Sequence, residues 1–423
     1  MTNILICTVG GSHQPIVTAI NELQPDQVIF ICTDKDPATG QPGSEKQITG
    51  KGNCIKAKFS DENDNLPNIP SQTGLEVGQY QVYLTPSDDL DGIYQTCLEA
   101  IQQAYSQTPK ASITADYTGG TKSMSAGLAM AAMEFPNVQL QLVTGARKDL
   151  QKVHDGQYAA TANSQQIRYQ RQIAPYQQAW QRYAYAEAQA GISQIKPPTS
   201  IDIRGQYNQF KDLSKAFAEW DNFNHREARE ILGIYAPKLP ENFKTYLAIS
   251  QRLNDTNPQK REAARLWDLY LNAQRRAAQG RYDDAVARVY RLIEWTAQWI
   301  LESQCNIKTA DVALDQIPEG VHLSQNKKGQ WQAGLFTAWQ LVSLKTQGAA
   351  AEFFTSQQDH LNNYLQIRNF SILAHGFEPV SAENWQAFQG WLEQQFVPML
   401  LAETTKVGIK TIPMQLPNQY SYR

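Results

Sequence analysis

Arg368, Asn369 and His375 are the residues of this 423-residue chain whose types and spacing most suggest a reaction. Arg368 and His375 stand seven positions apart. If one helix carries both without a break, two turns bring the direction back to within about 20°. Both side chains then project from one face, with Asn369 at its flank. Histidine titrates near neutrality and can take or return a proton. Arginine offers a fixed fork of donors to phosphate oxygens. The pair suits metal-free cleavage of RNA: a base removes the proton of the 2′-hydroxyl, the oxygen attacks the neighbouring phosphorus, and a cation meets the added negative charge. The same pattern also arises as a surface arginine and a histidine favoured by the dipole at a helix C-terminus. Gly376 and Pro379 stand where such an end belongs.

A second constellation is Asp116-Tyr117-Thr118-Gly119-Gly120-Thr121-Lys122-Ser123-Met124. Two glycines let the backbone turn sharply and aim its N–H groups at a ligand. Thr118, Thr121 and Ser123 add hydroxyls, Lys122 adds a charge, and a following helix start favours an anion. The run lacks the adjacent Gly-Lys of a P-loop and the G-x-G-x-x-G of dinucleotide enzymes. A glycine turn with a solvated lysine is the competing account.

The elements that must position these residues differ between the two ends of the chain. Ile4 to Val9 and Gln27 to Cys32 are apolar runs of the kind buried on both faces of a parallel sheet. Between them lie Gly10-Gly11-Ser12-His13-Gln14-Pro15 and a helical Ile16 to Leu23, which makes the opening βαβ unit of a doubly wound sheet. Tyr80 to Leu84, Ala111 to Ala115 and Val138 to Val143 read as further strands, and Asp91 to Tyr105 and Ser125 to Met133 as helices. Both glycine loops then fall on one sheet edge, where ligands of open α/β sheets bind. From about Ile167 strand-like runs disappear. Tyr207 to Phe223 and Glu241 to Leu253 carry apolar residues at helical spacing, and further long helices follow Pro258 with a break at Gly280. Arg275, Arg276, Arg281, Arg288 and Arg291 read as a solvated face or as a strip for an RNA backbone. Asn306 to Gln347 reads as an insertion.

The net charge of −3 gives no global pull toward nucleic acid. Five scattered cysteines form no CxxC pair, which argues against a zinc site or a disulfide framework and suits a reducing compartment. No run reaches the roughly 20 apolar residues of a membrane span, and no secretory signal is legible at the start, so a cytoplasmic protein with no membrane partner is expected. His154, His225, His322 and His360 show no metal-binding spacing, so no metal is expected.

The Asp116 to Met124 run resembles the second ligand-binding motif of CARF domains, the CRISPR-associated Rossmann-like sensors of type III systems, where it contacts a cyclic oligoadenylate. The Gly10 loop resembles that family's other ligand-contacting loop. Arg368-Asn369 followed by five residues and His375 is similar to the Arg-x4-6-His signature of HEPN ribonucleases, and the stretches from Asn272 to Ala277 and from Gly280 to Arg288 look like the preceding helices of the CARF–HEPN group. The likeness covers roughly residues 1–150 and 260–400.

It implies α/β plus all-α architecture: a Rossmann-like CARF domain with a parallel-rich sheet over 1–165, a helical connector over 166–257 and a helical HEPN domain over 258–423. It implies ligand contacts from Gly10, Gly11, Ser12, His13, Gln14, Thr118, Gly119, Gly120, Thr121 and Lys122, and catalysis by Arg368, Asn369 and His375. The expected activity is a metal-independent, single-stranded RNA endoribonuclease of type III CRISPR antiviral defence. The resemblance implies no cofactor, cyclic tetra-adenylate as activator with the hexa-adenylate behind it, and a homodimer with a composite HEPN site. One alternative is a ring nuclease that cuts the cyclic ligand with Lys122, Ser12 or Thr121. Another is a non-catalytic nucleotide-binding regulator. No basic helix-turn-helix is legible, so DNA is not an expected partner.

Overall fold

Strand β1 (Asn3–Val9) is buried at every position after its first, because its apolar residues serve two layers at once. Ile4 and Ile6 face one core and Leu5, Cys7 and Val9 the other. The computed structural model describes residues 2–35, 40, 43–50, 66–145, 157–239, 241–370, 373 and 376–420. They fall into two compact units, Met1–Gln170 and Arg171–Arg423.

In the first unit β1 is followed by α1 (Gln14–Leu23), β2 (Gln27–Thr33), the short α2 (Lys46–Thr49) and α3 (Ile69–Thr73), and β3 (Tyr80–Thr85). Then come α4 (Leu90–Gln107), β4 (Ser112–Asp116), α5 (Lys122–Met133), β5 (Gln139–Thr144) and β6 (Tyr158–Thr161). The sheet order is β3-β2-β1-β4-β5-β6; the first five strands are parallel and β6 runs antiparallel to β5. α4 and α5 cover one face through Ile93, Cys97, Ala100, Ile101, Leu128 and Ala131, and α1 packs the other through Ile16, Ala19 and Ile20. The expected doubly wound sheet is present. β6 was not anticipated: Tyr158-Ala159-Ala160-Thr161 has no buried position and therefore no apolar alternation to read.

Arg168 fastens the end of α5. Its guanidinium donates to the carbonyls of Ala132 at 3.1 Å, Phe135 at 2.5 Å and Val138 at 2.6 Å, which lie at the C-terminus of α5 and in the turn that follows it. The helix that carries it, α6 (Gln165–Gln181), contains the boundary between the two units.

The second unit is helical: α7 (Tyr185–Ser193), α8 (Ile201–Asp221), α9 (His225–Tyr235), α10 (Glu241–Leu253), α11 (Pro258–Ala278) and α12 (Tyr282–Cys305). A two-stranded hairpin, β7 (Ser324–Gln325) and β8 (Trp331–Gln332), precedes α13 (Leu335–Lys345), α14 (Ala349–Phe370), α15 (Ala382–Trp391) and α16 (Val397–Thr405). Most of the 166–257 stretch lies in this unit, where Trp180, Tyr185, Phe210 and Phe217 form a ring cluster with centroids 5.2 to 5.8 Å apart. The reading of Asn306 to Gln347 as an insertion needs correction, because α13 is a core helix. Leu335, Ala338, Trp339, Leu341 and Val342 are buried, and the Trp339 indole donates to the Ile293 carbonyl at 3.1 Å. Eleven residues that are apolar on nearly every side carry little helical periodicity, so the helix was not legible.

Candidate ligand cradle and catalytic helix

β1 and β4 are neighbours, with Cys7 paired to Asp116, so their following loops leave the same sheet edge side by side. The strand order reverses between these two strands, and such a switch point is where open α/β sheets bind ligands. The loops are in backbone contact. A Cβ on Gly10 would sit 2.6 Å from the Gly120 nitrogen and 2.8 Å from its Cα, and one on Gly119 would sit 2.2 Å from the Thr8 carbonyl oxygen. Gly120 has φ +82°, in the left-handed region that favours glycine. Three of the four glycines are therefore required by the approach itself. Gly11 has no atom near its missing Cβ.

The hydroxyls on the second loop divide between structure and solvent. The Thr118 hydroxyl accepts from the Val143 N–H at 2.6 Å, while its own N–H donates to Asp116 at 2.9 Å. Thr121 caps α5 by accepting from the Met124 N–H at 3.1 Å and donates to the Ser87 carbonyl at 2.7 Å. Asp116 is buried and also accepts from Gln141 at 3.1 Å. Burial pushes its carboxyl up from the usual range, against the pull of the Thr118 and Gln141 hydrogen bonds. What faces outward is the exposed Lys122 at the first helical position and the N–H groups of that first turn, with Gly11, Ser12 and Gln14 exposed on the other loop. Lys122 forms no ion pair among the described residues, which leaves its charge available to an anion. His13 is half-buried at the N-cap of α1.

Two residues that build this cradle were missed. The Thr8 hydroxyl donates to the Gly119 carbonyl at 2.6 Å, and the buried Gln47 side chain donates to the Gly10 carbonyl. A threonine next to the end of an otherwise apolar strand was a legible signal. Gln47, on the short α2 that follows a stretch rich in Gly and Pro, carried none.

The catalytic candidates lie at the end of α14. Arg368 and Asn369 belong to this helix, their side chains lie outside the described residues, and His375 lies outside them altogether. The expectation of one unbroken helix from Arg368 to His375 falls largely outside the described residues: α14 is described to Phe370, and of the next five residues only Leu373 is described, in a turn.

The arginines read as a solvated face or RNA strip also need correction. Arg275 is fully buried and Arg276 nearly so. Arg275 Nε meets Asp221 at 2.7 Å and its Nη2 meets Asp268 at 3.1 Å, while Arg276 pairs with the other oxygen of Asp221. Asp268 further accepts from the Trp220 indole at 3.0 Å and lies 2.7 Å from His225 Nε2. His225 Nδ1 is buried and has no hydrogen-bond partner among the described residues. Burial alone would raise the Asp268 carboxyl; Arg275 and His225 outweigh it and hold the group below its usual value. The network ties α8 and α9 to α11. Arg281 and Arg291 remain on the surface, paired to Asp284 and Glu294.

No group of three His, Cys, Asp or Glu side chains among the described residues is arranged to hold a metal ion, and no described helix is long and apolar enough to cross a membrane.

Comparison with known proteins bears on both units. Residues 254–396 match the family model described as the Csm6 HEPN domain. Enterococcus italicus Csm6, solved bound to cyclic hexa-2′-fluoro-hexa-dAMP, superposes with a TM-score of 0.58 at 13% identity, covering 96% of this chain and 95% of that one. Residues 254–396 therefore carry a Csm6-type HEPN domain, and the chain shares the fold of that Csm6. The HEPN match spans α11 to α15, including the core helix α13. No curated protein sequence matches.

Proposed function

We propose that this chain is a CARF–HEPN protein, a single-stranded RNA endoribonuclease switched on by a cyclic oligoadenylate. The observation that carries the reading is the backbone contact between the Gly10 and Gly120 loops at the switch point of the sheet, beside an unpaired lysine at a helix start. Phosphates suit that place through the N–H groups of the first turn of α5 and the charge of Lys122. Gly10, Gly11, Ser12, His13, Gln14, Thr118, Gly119, Gly120, Thr121 and Lys122 form the ligand cradle, with Thr118 and Thr121 acting by shaping it. The Enterococcus relative's bound cyclic hexanucleotide analogue supports a cyclic oligoadenylate as the occupant. A ring with an even number of adenylates matches a two-fold axis, so two CARF domains of a homodimer share one ligand.

The Csm6 HEPN match supports the second half of the reading. His375 takes the proton of the RNA 2′-hydroxyl, Arg368 meets the charge gathering on the phosphate oxygens, and Asn369 orients the phosphate. Both chains contribute these residues to one site; the 2′-oxygen bonds to phosphorus as the P–O5′ bond breaks, a histidine returns the proton to the departing 5′-oxygen, and a 2′,3′-cyclic phosphate and a 5′-hydroxyl form without a metal ion. The setting is type III CRISPR defence in the cytoplasm.

The test is labelled single-stranded RNA incubated in excess EDTA with no ligand, with cyclic tetra-adenylate and with cyclic hexa-adenylate. Cleavage that requires a ring and survives the chelator is expected. RNA left intact with both rings overturns the reading, and activity restored only by a divalent ion overturns its metal-free part.

A further inference from the structure

A polar pocket of about 430 Å³ lies beside α14, between it and the α15 segment that leads into a π turn over Leu392–Phe396. Gln357, His360, Tyr364, Gln386, Gln394 and Gln395 line it, and no charged Asp, Glu, Lys or Arg side chain is among its described walls. Gln386, Gln394, Gln395 and His360 are exposed, and none of them has a hydrogen-bond partner among the described residues. The aromatic side is fixed: Tyr364 stacks on Phe388 with centroids 4.7 Å apart at 7°, and the Trp391 indole donates to Gln357 at 3.0 Å.

The position of this pocket on α14 gives it meaning. At 3.6 residues per turn, Gln357, Tyr364 and Arg368 fall on one stripe of the helix, within about 20° of a common line. Tyr364 stands about 6 Å and Gln357 about 16 Å along the axis from Arg368. Phosphate binding is a poor match to this chemistry, since the described walls offer no fixed cation. Primary amides offer a donor and an acceptor together, which is the pattern on the edge of a nucleobase. Unstacked bases of single-stranded RNA are read by such edges against aromatic walls. A π turn, rare in helices and frequent at functional sites, presents Gln394 and Gln395.

We propose that this pocket holds one base of the RNA strand next to the cleaved bond and so sets the sequence preference of the enzyme. The proposal rests on the ribonuclease reading above. Gln386, Gln394 and Gln395 act as specificity residues that hydrogen-bond the base edge.

The test uses the full chain activated by its cyclic ligand, on RNAs that differ in one base beside the cleaved bond. It compares Gln386→Ala, Gln394→Ala and Gln395→Ala, surface changes that alanine accommodates within a helix. In at least one variant the ratio of kcat/KM between the best and the worst base is expected to fall roughly tenfold, the scale of a lost amide–base pair. An unchanged ratio in all three variants, or a wild-type enzyme indifferent to the base, overturns the pocket while the ribonuclease stands. Variants that dissociate by sedimentation make this face a contact between two copies and also overturn it. RNA uncleaved by the wild type removes the ribonuclease reading and this proposal together.

Discussion

Replacing Arg275 with methionine removes a fully buried guanidinium while keeping much of its volume. Asp268 loses its 3.1 Å partner and Asp221 loses its 2.7 Å partner, although Arg276 still holds Asp221. Breaking a buried pair from one side costs about 3–5 kcal/mol, because the remaining charge stays in a low-dielectric site. That is roughly two to three and a half decades in the folding equilibrium. All nine tryptophans, Trp180 to Trp391, lie in the helical unit, so their fluorescence in a denaturant titration follows that unit alone. The pH dependence adds a sign. In the wild type the Asp268 carboxyl is held below its usual value, so its contribution is present above the ordinary carboxylate pKa and is lost as pH falls through the depressed one. In Arg275→Met the largest influence that lowers the carboxyl is gone, so the group moves up from its wild-type value. The variant's deficit is then expected to be largest near pH 7 and to narrow on acidification, as the folded state takes up a proton. A deficit below about 1 kcal/mol, or one that stays constant between pH 7 and 5, would refute the assignment of a paired, ionised Asp268.

Gly10→Ala places a methyl 2.6 Å from the Gly120 nitrogen, so the loops must part; lower thermal stability without ligand and at least roughly tenfold weaker ligand binding by calorimetry are expected. Gly11→Ala, with open space at its Cβ, is expected to match the wild type in ligand-free stability. Lys122→Ala is expected to need roughly ten- to hundredfold more cyclic oligoadenylate for half-activation, the scale of one charge-assisted contact, with thermal stability unchanged. His375→Ala is expected to bind the ligand as the wild type does and to lose cleavage by orders of magnitude at every ligand concentration, since the proposed reading gives activator and substrate distinct sites.

The sheet was legible because a parallel strand buried on both faces prints a continuous apolar run, as in Ile4 to Val9 and Gln27 to Cys32. The two glycine loops could be assigned to one edge from strand order alone. Their mutual contact could not, since it joins Gly10 to Gly120 across more than a hundred residues and is fastened by Gln47, which no local pattern marks. Local patterns also failed where residues were apolar all round, as in α13, or nearly featureless, as in β6.

Arg275 shows the limit from the other direction. An Arg-Arg pair on a helix looks like surface, because charge is seldom fully buried unless it is paired. The partners that make burial tolerable, Asp221 and Asp268, sit 54 and 7 positions away, and only the first of them comes from another helix. The proposed catalytic pair would depend on distant structure in the same way. Helical periodicity relates Arg368 to His375 only where one helix carries both, and His375 lies outside the described residues. In the proposed dimer their alignment would also come from what packs against the end of α14. A composite site supplies such packing, because the second copy of α14 in the proposed dimer would bring its own Arg368 and Asn369 to the same place. On that account the separation of arginine and histidine in the sequence matters less than the two-fold axis that gathers both pairs around one phosphate.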